Sequence, residues 1–107
     1  MEIIFHAHHA TISDSMRKRA EAGVRRNGRI IGRAVDAVIR FEQDGPMKRV
    51  EIVLHAPSTR EIVARAESRY FGLALTACLE RLGTQVRSVT KSVVAKRTRP
   101  VRLAAGA

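Results

Sequence analysis

The chain has no tryptophan, one tyrosine, one cysteine and three prolines, and half as many acidic as basic residues. Each shortage excludes something. A single cysteine, Cys78, cannot close an internal disulfide and suits a reducing compartment. Aromatics at 4% are too few for a sheet surface that stacks RNA bases on exposed rings of its central strands. Phe5 and Phe41 moreover have the parity of core residues, and Tyr70 and Phe71 stand at a helix start, where they are expected to close the core. No GxxG loop of the KH type occurs. No apolar run approaches the ~18 residues of a membrane span. The opening "MEIIFHAHHA" carries Glu2 where a secretory signal would carry lysines, so secretion is not expected and the cytoplasm is.

What is abundant is positive charge. Lys and Arg total 20 against 10 Asp and Glu, a net charge of +10, which points to a polyanionic partner, nucleic acid before membrane. With 107 residues, 45% hydrophobic and 28% charged, the chain reads as one globular domain, not a disordered segment. We place the domain at 1–95 and a basic, mobile tail at 96–107.

Residues 2–8 alternate as a strand does. Ser13 stands at an N-cap position, with Asp14 behind it, and opens a helix ending near Asn27-Gly28. By 100° stepping Met16, Ala20, Gly23 and Val24 share one side of that helix, and Lys18, Arg25 and Arg29 the other. Three alternating segments follow, 33–42, 48–56 and 60–67, broken by "QDGP" and "PST", and read as an antiparallel meander. From Leu75, the residues Leu79, Leu82, Val86, Val89 and Val93 fall within about 40° of one line, marking an amphipathic helix over 69–94. Opposite them stand Arg81, Thr84, Arg87, Ser88 and Lys91. The order β-α-β-β-β-α predicts an α+β two-layer sandwich: a four-stranded mixed sheet, its first two strands parallel, with both helices on one face.

Sorted by face, the exposed side of the sheet would hold Asp36, Glu51, Glu61 and Glu67 against Arg40, Arg49 and Arg65 and be near neutral. The excess charge then belongs to the helices and the tail. The expected nucleic-acid-binding residues are Lys18, Arg25, Arg29, Arg81, Arg87, Lys91, Lys96, Arg97 and Arg99, reading phosphate and shape.

Catalytic and metal chemistry find little support. His6 and His8 share a strand face, His9 points away, His55 lies on a strand not adjacent to theirs, and no Cys or acidic pair stands at zinc-site spacing. Cys78 flanks the apolar stripe and is expected to pack there. Gly28-x-x-x-Gly32 lacks the Lys-Ser/Thr of a P-loop and the third glycine of a dinucleotide fingerprint. No enzyme activity, cofactor, metal or small-molecule substrate is expected. A ribosome-independent duplex RNA or DNA module, or a protein using the histidines, stays open on these residues.

"ATISDSMRKRA", "VEIVLHAPSTREIVARAES" and "ERLGTQVRSVTKS" resemble, in order and spacing, the ribosome hibernation promoting factor and ribosome-associated inhibitor family, also called sigma-54 modulation proteins. The likeness spans residues 1–92. Leu54-His55, Glu61-Ile62, Ala64 and Ala66-Glu67 match its turn and return strand, whereas "YFGLALT" replaces the family's "DMYAAID" and "APSTR" lacks its glycine pair. Thr84, Ser88 and Thr90 stand where the family is denser in Lys and Arg. The resemblance implies a short-form stress or stationary-phase factor. Such a factor lies in the decoding channel of the small ribosomal subunit, with its basic helices on ribosomal RNA, and blocks mRNA and tRNA.

Overall fold

In a computed structural model, which describes the backbone of residues 1–57 and 60–106 and the side chains of 1–57 and 60–91, the chain runs β1 (Glu2–His8), α1 (Asp14–Ile31), β2 (Asp36–Asp44), β3 (Met47–His55), β4 (Ile62–Ser68) and α2 (Phe71–Gly106). The strands lie side by side in chain order. β1 and β2 are parallel, and β2, β3 and β4 are antiparallel. This is the expected α+β sandwich with its mixed sheet. Ser58 and Thr59, part of the expected break between β3 and β4, lie outside the described residues.

Alternation builds the sheet's inner face. Ala37, Ile39 and Phe41 of β2, Val50, Ile52 and Leu54 of β3, and Ile62, Ala64 and Ala66 of β4 are buried. The β2–β3 connection is the two-residue turn Gly45-Pro46 between paired Asp44 and Met47. Gly45 has φ 60°, which a residue with a side chain rarely adopts, so glycine takes the first turn position and Pro46 the second. On β4 the alanines leave room for α2 to lie close, and Leu75, Cys78, Leu82 and Val86 are buried there. Each such leucine or valine contributes roughly 1.5–3 kcal/mol. Exposed ion pairs contribute at most about 1 kcal/mol, so apolar packing holds α2. Phe41 and Phe71 close one end edge-to-face, their centroids 5.7 Å apart.

The helices run parallel, Arg19 beside Gly72, Gly23 beside Leu79 and Asn27 beside Gly83. A Cβ on Gly23 would come within 2.7 Å of Leu79, so the missing side chain sets this close approach.

Three helix boundaries differ from the expected ones: α2 begins at Phe71 and not at 69, and both helices end later. Ser13 caps α1 as predicted, accepting from the Met16 amide at 3.2 Å, but the helix continues past Asn27-Gly28 to Gly32, φ 69°. Asn27 is buried and donates to the Gly23 carbonyl one turn back, and Gly28 lies under Met1. What reads as a stop signal is a packing device. The backbone of α2 stays helical to Gly106, beyond the expected end at 94. The division into a domain over 1–95 and a basic tail over 96–107 concerns side chains outside the described residues, those of Lys96, Arg97, Arg99 and Arg102 among them.

At one end of the sheet His55 joins three strands. Its Nδ1 meets Asp36 of β2, and its Nε2 lies 2.7 Å from Glu61 beside β4. The Asp36 and then the Glu61 hydrogen bond raise its pKa above the usual 6.5, against some desolvation. Its contribution to stability is therefore complete below about pH 6.5 and disappears as pH rises through the raised folded-state value. We predict that His55→Gln lowers the unfolding temperature near pH 6 and loses that effect near pH 9. The group is partly exposed, so the difference should stay within about 1 kcal/mol. Thermal unfolding of both chains across this range decides it; an effect independent of pH would mean that His55 acts by packing alone.

Candidate nucleic-acid interface

Strand alternation sends carboxylates to the face of the sheet away from the helices. Glu2, Asp36, Glu42, Asp44, Glu51, Glu61 and Glu67, seven of the chain's ten acids, lie there by parity and register. They outnumber Arg40, Arg49 and Arg65, so this face is acidic, not near neutral as the sequence suggested. The sequence reading left out Glu2 and Glu42, whose parity within the expected strands already put them on this face, and Asp44, which the longer β2 adds. Its three arginines are taken. Arg49 pairs with Glu67 at 3.0 Å and Asp44 at 3.5 Å, Arg65 with Glu51 at 2.5 Å, and Arg40 with Glu51 at 3.7 Å. The Glu67 hydrogen bond and charge raise the Arg49 pKa further. A concavity of about 540 Å³ opens on this face, where Arg40, Arg49 and Arg65 meet Glu42, Glu51 and Glu67 and Arg81 reaches in from α2 as a fourth cation.

The helical layer is the reverse. Among the described residues its one ion pair is Arg25–Glu21, 2.9 Å, and Lys18, Arg26, Arg29, Arg87 and Lys91 have none. Stepping by 100° from buried Ala20 turns Lys18 and Arg29 outward and Arg26 toward α2. On α2, Arg87 leans toward α1, with a weak hydrogen bond to Thr84 at 3.4 Å, and Lys91 points out. The near neighbours Arg25 and Arg29, Arg26 and Arg29, and Arg87 and Lys91 each cost a few tenths of a kcal/mol by repulsion. That total is small beside α2's packing, so the fold tolerates it.

Not all the expected residues stand together. Lys18, Arg29, Arg87 and Lys91 share the helical surface. Arg25 does too, but its guanidinium is tied to Glu21 and donates to the Met1 carbonyl at 3.1 Å. Arg81 turns the other way and donates to the Arg65 carbonyl on the outer edge of β4. Gln85 does the same to Val63 at 2.7 Å, so these two side chains cover an edge that would otherwise be open to pairing. Lys96, Arg97 and Arg99 lie outside the described side chains. Three cations absent from the expected set belong to the surface. Arg26 borders the furrow between the helices. Arg33 joins Arg25 and Arg29 around a hollow of about 280 Å³ floored by Met1 and Gly28. Arg19 is held by the Gly72 carbonyl at 3.3 Å and by Thr76. The helical wheel could have found Arg26; Arg33 follows the helix and needed the fold.

His6 and His8 lie exposed on the acidic face, and among the described residues no three His, Cys, Asp or Glu side chains converge as metal ligands. No described helix is long and apolar enough to cross a membrane. Cys78 packs as expected, its Sγ 3.3 Å from the Ala64 carbonyl. Burial pushes its thiol up to about 12. At pH 8 the thiolate is then on the order of one part in ten thousand. We predict that iodoacetamide leaves the folded protein unmodified at pH 8 and alkylates it fully in denaturant, as mass spectrometry would show; rapid alkylation of the folded chain would contradict the buried site.

The profile of the family described as Sigma 54 modulation protein / S30EA ribosomal protein matches residues 3–93. A ribosomal subunit interface protein from Coxiella burnetii has the same fold, with a TM-score of 0.73 at 22% identity, over 85% of this chain and 99% of that one. The Thermus thermophilus Protein Y N-terminal domain superposes with a TM-score of 0.70 at 23% identity, over 83% of this chain and 99% of that one. No curated protein matches the chain.

Proposed function

The chain belongs to the sigma 54 modulation protein / S30EA ribosomal protein family, and we propose that it is a ribosome-associated translational inhibitor whose helical face binds ribosomal RNA of the small subunit. One observation carries this reading. The sheet's arginines are paired within the protein, whereas Lys18, Arg26, Arg29, Arg87 and Lys91 are exposed without an acidic partner among the described residues. Phosphates supply what those cations lack. The family and the subunit-interface protein of the same fold support the ribosome as the source of the phosphates.

The inhibitor sits in the decoding channel and excludes mRNA and tRNA, in the cytoplasm, under stress or in stationary phase. The cations Lys96, Arg97 and Arg99 extend the contact. No cofactor or catalytic step takes part.

The test is co-sedimentation with separated ribosomal subunits and with bulk tRNA across a salt series. Saturable binding to the small subunit near one per particle is expected. If six to ten phosphates are neutralised, affinity falls roughly 10³–10⁵-fold between 50 and 200 mM salt. Arg29→Gln with Arg87→Gln should weaken binding and reduce the salt slope by about two. Arg40→Gln with Arg49→Gln should leave both unchanged. Equal losses from the two pairs would refute the helical face, and binding that follows total RNA would leave a general duplex-binding module.

A further inference from the structure

We propose that Tyr70, with Leu73 beside it, is a stacking platform for one unpaired base of the RNA that the helices hold. This rests on the helical face being the binding face.

The chain has four aromatic residues of the Phe, Trp and Tyr kinds. Three are in use. Phe41 and Phe71 pack against each other in the core, and Phe5 lies beneath the Arg17 guanidinium, 5.0 Å from its centroid. Tyr70 was expected to close the core with Phe71, but the structure separates the two. Phe71 is 8% exposed and Tyr70 65%. From Leu75, 100° stepping puts Phe71 on the apolar stripe and Tyr70, the residue before the helix, a further 100° round, about 140° from the stripe's line. Leu73, three residues on and on the same side, is 61% exposed. Among the described residues nothing hydrogen-bonds the Tyr70 hydroxyl.

The surroundings are cationic. Arg69 precedes the ring and has no ion pair among the described residues. Lys48 stands over the next residue, Phe71, with its Nζ 5.3 Å from the ring centroid, and Arg19 is held round the other side of α2 by Gly72 and Thr76. A phosphate would need only these cations. A flat ring backed by a leucine adds a face for another flat, apolar surface, and every nucleobase has one. Two side chains are also too small for a protein-docking patch, which runs to several hundred Å². They match the size of one base.

The experiment compares an RNA hairpin with an unpaired loop and a fully paired duplex of the same stem length, for wild type, Tyr70→Ala and Tyr70→Phe. Tyr70→Ala should bind the loop roughly tenfold more weakly, the size of effect base–aromatic stacking carries. Its salt slope should not change, because no phosphate contact is lost. Tyr70→Phe should bind like wild type, and duplex affinity should be the same for all three. Tyrosine fluorescence adds a direct readout: with one tyrosine and no tryptophan, quenching on binding the loop reports this ring alone. Loop binding by Tyr70→Ala at wild-type strength would overturn the platform, as would equal losses in both variants, which would assign the role to the hydroxyl. Arg29→Gln with Arg87→Gln is measured alongside. If that variant loses affinity while Tyr70→Ala does not, the platform fails and the helical face stands; if neither loses, both fail.

Discussion

A sheet with one apolar face decides where everything else goes. Because β2, β3 and β4 send Ile, Val, Leu and Phe to one side, both helices must lie there, and the other side is left to water. The helices then share a narrow layer, and they fit because Gly23 lets Leu79 approach. α2 carries most of the burial, and α1 is placed by leaning on α2 and on β1. Removing that one-sidedness would leave neither helix with a place to rest.

The same division sorts the charge. On the open sheet face neighbouring strands bring opposite charges within reach, so Arg49 finds Glu67 and Asp44, and Arg65 finds Glu51. The outer helical surface offers Arg29 and Arg87 few such partners, since Asp14, Glu21 and Glu80 are the acids of the described helices and Glu21 is already taken by Arg25. A net charge of +10 thus conceals an acidic face and a strongly basic one.

The fold was legible because it depends on periodicity. Period two in the strands and the Leu75–Val93 stripe in α2 are local patterns, and together they leave one way to assemble. Ser13 was legible as a cap for the same reason. The errors fall where a distant part of the chain changes what a local signal means. Asn27-Gly28 resembles a helix end until Asn27 bonds back to Gly23 and Met1 covers Gly28. Arg25 and Arg81 have the right wheel positions, but long side chains bend toward the nearest acceptor: the Met1 carbonyl for one, the Arg65 carbonyl for the other. His55 could be placed on a strand but not between Asp36 and Glu61, which needs the register of three strands. Tyr70 is different. One step of 100° from Phe71 already turns it off the apolar stripe, so its exposure is a local feature of the sequence.

Two faces of opposite sign have a consequence before any contact forms. A phosphate array approaching the sheet meets seven carboxylates and three arginines whose charge is already compensated, a local excess of negative charge. Approaching the helices, it meets cations with no competing partner. The potential difference across a domain two layers thick acts within a Debye length of ~8 Å at physiological salt, so it turns the molecule in the last step of an encounter. Orientation is then a property of the whole charge arrangement and survives the loss of any single arginine. Individual helix cations should accordingly matter less than their number. The uncharged positions Thr84, Ser88 and Thr90 on α2 are tolerable for the same reason, because α1 already supplies Lys18, Arg26 and Arg29 to the same surface.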